Sequence, residues 1–236
     1  MTEPRKQRLL PVSARKPCID KLYQNLKRID FIAVSNHRTC KVAHQNLFLK
    51  LADVFNGNLK IERLASQELI KNAHAPLTLG LGKPLASDFI NAMQSEHAHP
   101  ICSLIREIPF DWTPPETSNS KLYKQHSIFK AHVELLGPDG LVHSNKVRLG
   151  LYGMLPNSEY GIRTHPAEEI YIMLAGNCLW KRGAQAYQLA GVGGRSYHPS
   201  MLPHATKTEQ SAFMSVYLWA GDLSKKQYSY DGLPDE

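Results

Sequence analysis

The chain has 236 residues, of which 42% are hydrophobic and 21% charged, enough for a core without disulfide staples and unlike a disordered segment. No run of about 18 apolar residues is present, which excludes a transmembrane helix, and the opening "MTEPRKQRLLPVSARKP" has no secretory apolar core, so a cytoplasmic home is expected. The formal charge of +7 is uneven, with 12 Lys+Arg against 4 Asp+Glu in residues 1–60, but basic blocks and interleaved aromatics are missing, which favours a solvated helical surface over nucleic-acid contact.

From Pro17 to about Arg106 the apolar period is helical. Ile19, Leu22, Leu26, Ile29 and Ile32 make one stripe, and Leu47, Leu51 and Phe55 make another that "NGN" at 56–58 ends. Shorter helices are predicted at 67–73, 87–93 and 100–105. The segment "IPFDWTPPETSNS" breaks the pattern with three prolines and a polar tail, and the boundary is placed there: a helical N-terminal region over 1–120, then a β region over 121–236.

Beyond the boundary the period is that of strands. "HSIFKAHVELLG" alternates and runs into the turn signal "GPDG" at 137–140, followed by "LVHSNKVRLGLYGML". The stretches "AEEIYIMLAG", "CLWKRGAQAYQL", "GGRSYHP" and "SAFMSVYLWAG" complete a series of short strands, as in a β-sandwich or small barrel. Cys18, Cys40, Cys102 and Cys178 are too scattered for a zinc ribbon or a disulfide framework and are read as ordinary thiols.

Within "HPAEEIYIMLAG", residues 165–176, an imidazole, two carboxylates and a phenol fall within seven residues. Side chains alternate along a strand, so His165, Glu169 and Tyr171 share one face while Glu168 points away. Imidazole, carboxylate and phenol oxygen together suit a divalent metal such as zinc, iron or manganese. A further ligand is expected from "YHPSMLPHATKT". His204 is the choice there, with His198 read as a structural histidine satisfied by the backbone. His37, His44 and His74 have no partner spacing and are expected in solvent.

The spacing of Gly161, His165, Glu169 and Gly176 resembles the first cupin motif, and Gly194 through His204 resembles the second. "HPAEEIY", "YHPSMLPHATKT" and "YLWAGDL" together resemble the cupin-type dimethylsulfoniopropionate (DMSP) lyases. The resemblance is strongest over residues 150–223. It implies a single-domain cupin, a double-stranded β-helix or jelly-roll barrel, preceded by an α-helical segment. It also implies one divalent metal ion (Zn, Fe or Mn) on His165, Glu169, Tyr171 and His204, with Tyr171 as catalytic base and Tyr160 as a second pocket tyrosine. Cupins usually read His-x-His where this chain reads Arg163-Thr164-His165, which makes Arg163 a supporting or substrate-facing group.

The implied activity is a β-elimination on a small zwitterion, giving acrylate and dimethyl sulfide. Tyrosine ordinarily titrates at about 10 and is a poor base at neutral pH unless a cation lowers that value. The sulfonium end needs only aromatic faces, and Tyr152, Tyr160, Trp180 and Trp219 are available. Two other readings stand beside this one. One is an iron-dependent cupin dioxygenase or isomerase acting on a small carboxylate, and the other a non-catalytic ligand-sensing cupin. The helical region could cover the barrel mouth or form a homodimer interface.

Overall fold

The computed structural model describes residues 43–76, 79 and 82–234. The stripe from Ile19 to Ile32, together with His37, Cys18 and Cys40, lies outside the described residues. Helix α1 covers residues 43–54, buries Leu47 and Leu51 completely, and ends just before "NGN", as its period predicts. Helix α2 (Lys60–Asn72) starts seven residues earlier than expected. The polar run "KIER" hides a stripe in which Ile61, Ala65 and Leu69 recur every fourth residue and are buried. Helices α3 (Ser87–Gln94) and α4 (Cys102–Glu107) follow near their predicted places, and a one-turn helix α5 (Lys121–Gln125) begins where Ser120 Oγ accepts from the Tyr123 N–H.

Eleven strands follow among the described residues: β1 (Lys130–Gly137), β2 (Val142–His143), β3 (Val147–Met154), β4 (Glu159–Thr164), β5 (Glu168–Ala175), β6 (Cys178–Arg182), β7 (Gln188–Ala190), β8 (Arg195–His198), β9 (His204–Lys207), β10 (Phe213–Ala220) and β11 (Ser229–Gly232). They form two sheets, ordered β2-β1-β3-β10-β5-β8 and β11-β4-β9-β6-β7. Successive strands repeatedly cross from one sheet to the other, which is the winding of a double-stranded β-helix. The turn after β5 needs Gly176, whose φ of +66° and a would-be Cβ 2.0 Å from the Ala212 carbonyl oxygen leave no room for a side chain.

The first sheet separates two apolar clusters. Ile170, Ile172 and Leu174 of β5 and Val216 and Leu218 of β10 pack outward against α1 to α4, while Tyr171, Met173, Tyr217 and Trp219 point into the barrel. Because both faces are covered, β3 and β10 are buried at every position. No helix among the described residues is long and apolar enough to cross a membrane.

Candidate metal centre

The interior parity read from the sequence holds on β5. Glu169 is buried facing the barrel, whereas Glu168 is exposed and accepts from the Tyr197 hydroxyl. His165 lies in the short loop between β4 and β5. His204 opens β9 in the opposite sheet, in register with Arg163 of β4. Tyr160 and Arg163 sit three apart, which on a regular strand would send them to opposite faces. A register shift between them, where β4 pairs with β9, lets both reach the interior.

His165, Glu169 and His204 converge, with one ligand atom from each lying within 4.8 Å of the others. His165 Nε2 stands 3.4 Å and His204 Nε2 3.0 Å from Glu169 Oε2. In each ring the far nitrogen faces a backbone carbonyl, His165 Nδ1 at 3.1 Å from Ala167 and His204 Nδ1 at 2.8 Å from Leu202. A carbonyl only accepts, so Nδ1 carries the proton and Nε2 presents a lone pair. Despite their closeness to the carboxylate, both Nε2 atoms are buried without a hydrogen-bond partner. Two orphaned lone pairs and a carboxylate oxygen around one point are what a divalent cation requires, so the residues present fit the metal expected of a cupin.

Electrostatics keeps Glu169 and His204 in their ligating forms. Burial alone would raise the Glu169 carboxyl, but contacts with the imidazoles of His165, His198 and His204 outweigh it and hold the group well below the usual carboxylate range. His204 is held well below the ordinary imidazole range by burial, with His198 and Arg163 adding to the effect. Tyr171, by contrast, is pushed well above the ordinary phenol range, first by burial and then by the Glu169 carboxylate, with Arg163 opposing, so without an adjoining cation it keeps its proton.

Glu169 and Tyr171 open onto a cavity of about 60 Å3 that Tyr152, Tyr160, Arg163, Tyr217, Trp219 and Tyr228 also line. Arg163 is fully buried, and among the described residues no carboxylate pairs with it. Its nitrogens reach only neutral acceptors, Thr206 Oγ1 at 3.3 Å and three carbonyls at 3.4–3.5 Å, and its guanidinium lies 4.1 Å from the Tyr160 ring centre. The Tyr152 hydroxyl is likewise buried without a partner. The Tyr160 hydroxyl is hydrogen-bonded to that of Tyr228.

Three expectations are corrected. Trp180 does not reach the cavity: its ring packs behind Tyr171, 4.5 Å between centres, and against His198 at 5.1 Å. His198 is not satisfied by backbone, since its two nitrogens meet the side chains of Glu169 and Ser196. His44 is buried, not solvated, packed edge-on to Phe48 one turn along α1. His74 is exposed, as expected. The sequence reading missed Tyr217, Tyr228 and His132 on the cavity wall. Tyr217 was accessible to it, because it alternates with Trp219 on one strand, whereas Tyr228 and His132 carry no local signal.

The family profile of the dimethylsulfoniopropionate lyases matches residues 60–215, more than half of the chain. The chain belongs to that family. A curated relative, the dimethylsulfoniopropionate lyase DddQ of Ruegeria pomeroyi, is 37% identical over 89 residues, a match spanning 38% of this chain and 44% of the relative's length. The crystal structure of DMSP lyase DddQ from Ruegeria pomeroyi DSS-3 superposes with a TM-score of 0.51 at 25% identity, covering 72% of this chain and 95% of that one. A structure from the set described as DMSP lyases RdDddP and RnDddQII gives a TM-score of 0.56 at 18% identity, covering 83% and 99%, and speaks for the fold alone. The fold is that of a cupin, with helices preceding the barrel.

Proposed function

We propose that this chain cleaves dimethylsulfoniopropionate to acrylate and dimethyl sulfide at a divalent metal held by His165, Glu169 and His204, with Tyr171 completing the donor set. The observation that carries the reading is the pair of orphaned Nε2 atoms beside one oxygen of Glu169, a residue that also lines the small cavity holding a buried guanidinium. A bound divalent ion would polarise the substrate carboxylate and lower the pKa of the adjoining phenol.

The chain's own residues supply the rest. Arg163 and the unpartnered Tyr152 hydroxyl take the substrate carboxylate, the first by charge and the second as a hydrogen-bond donor. Tyr171 Oη removes a proton from the carbon next to that carboxylate. The electron pair left behind forms the new double bond as the carbon–sulfur bond breaks, and its electrons depart with dimethyl sulfide, a neutral leaving group that needs no acid. Tyr160, held by Tyr228, closes the wall beside Arg163. The faces of Tyr217 and Trp219 receive the sulfonium, each cation–π contact contributing roughly 0.5–2 kcal/mol. Metal analysis of the purified chain, followed by headspace measurement of dimethyl sulfide over added DMSP, tests the proposal. One metal per chain and gas evolution that His204→Ala abolishes are expected, whereas equal gas from both proteins removes the claim.

A further inference from the structure

Glu169 occupies the centre of a cross-strand row. Its register partners on the neighbouring strands are Trp219 of β10 and His198 of β8, and side chains in one row on one face of a sheet lie close enough to touch. The Trp219 indole N–H donates to Glu169 Oε1, and His198 Nδ1 makes a 3.0 Å hydrogen bond with Oε2. In the next row stands Ser196, whose Oγ lies 2.9 Å from His198 Nε2. The edge strand β8 is fixed from outside as well: Arg195 donates to Glu62 at 2.8 Å and to Asn56 at 2.7 Å.

Three imidazole nitrogens therefore stand 3.0–3.4 Å from the same oxygen, Glu169 Oε2, and they are not equivalent. His198 makes a hydrogen bond with it, while the Nε2 atoms of His165 and His204, at similar distances, are left without a hydrogen-bond partner. Both nitrogens of His198 are engaged, one by the carboxylate and the other by Ser196, so His198 does not stand in for the histidine that Arg163 displaces from the first motif. We infer that His198, held in its Nδ1–H tautomer by Ser196, and Trp219 are positioning residues that fix the plane of the Glu169 carboxylate toward the cation. Each carboxylate oxygen accepts one N–H and keeps a lone pair for the metal. This inference rests on the metal reading given under Proposed function.

The test uses the full chain stripped of metal and titrated with Co(II) or Zn(II) against a chromophoric chelator. The wild-type chain binds one ion. His198→Leu should bind it about 10- to 100-fold more weakly, with the Co(II) absorption at saturation unchanged, because no ligand has been lost. His198→Asn, whose side-chain N–H can serve Glu169, should recover most of the affinity. Trp219→Phe, which removes the other N–H, should weaken binding in the same way. Wild-type affinity in a folded His198→Leu overturns the inference, and so does a changed Co(II) spectrum at saturation, which would make His198 a ligand. Should the buried Leu variant not fold, Ser196→Ala removes only the tautomer lock, and unchanged affinity there overturns the role of the dyad. A wild-type chain that takes up no metal overturns the metal reading itself, a failure distinct from wild-type binding that the variants leave untouched.

Discussion

Replacing Arg163 with Met separates binding from stability, because the guanidinium is buried among groups that hold it poorly. Its four contacts are long, 3.3–3.5 Å, and all go to neutral oxygens. What the folded chain loses with it is chiefly the interaction with the Tyr160 ring, about 0.5–2 kcal/mol. What it recovers is the desolvation cost of a buried cation, on the order of several kcal/mol per ion in a protein interior. The melting temperature should therefore stay level or rise. Binding should move the other way, since a charge-assisted bond to the substrate carboxylate contributes about 1.5–3 kcal/mol and its loss should raise KM for DMSP about 10- to 150-fold. Dimethyl sulfide evolution over a range of DMSP concentrations, beside thermal denaturation of both proteins, reads the two effects. A fall in melting temperature with kcat/KM within about twofold of wild type would refute the assignment and make Arg163 a structural group.

Tyr171→Phe should lower kcat by about 10²- to 10⁴-fold while the chain stays folded, and retained turnover would reject the base role. Burial holds His44 at about 4, against about 6.5 in an unfolded chain, so the unfolded state takes up its proton first as pH falls. The stability of the neutral buried ring is then complete above about 6.5 and is lost between there and 4, by up to about 3 kcal/mol. Urea midpoints against pH should show that slope flattened in His44→Leu, and an unaltered slope would assign it to another group. Burial pushes the Cys102 thiol up to about 12, so iodoacetamide should label it only through unfolding. Peptide mapping that shows rapid native labelling at this cysteine would contradict its burial.

Much of the site was legible because strand parity is a local property. Glu169 and Tyr171 could be set on one face of β5 from spacing alone, whereas His165 reaches the same point from the loop before the strand, and the stripe of Leu47 and Leu51 likewise fixed the buried face of α1. The strands that escaped notice are β4, β9 and β11, of six, four and four residues, whose sequences "EYGIRT", "HATK" and "SYDG" hold too few apolar residues to show a period. Two of them carry Arg163 and His204. Tyr160 and Arg163 share the interior only through a register shift, which no period reveals. Trp180 was misplaced for a related reason: it faces the barrel interior, but a layer behind Tyr171, and parity gives the face without the depth.

The same distinction explains why the row through Glu169 could not be read from the chain. Parity puts His198 and Ser196 on one face of β8, with Arg195 and Tyr197 on the other, but which of them meets Glu169 depends on register. A slip of one residue against β5 would bring Tyr197 opposite Glu169 and turn His198 away from the carboxylate. Register is set where the strand begins: Gly193 takes a φ of +79°, its N–H donates to the Met173 carbonyl at 2.9 Å, and the Met173 N–H donates to the Gly194 carbonyl at 3.0 Å. The Arg195 bond to Glu62 holds the outward-facing residues from the helical side. A glycine turn and an ion pair to α2, neither touching the metal centre, thus decide which imidazole meets Glu169.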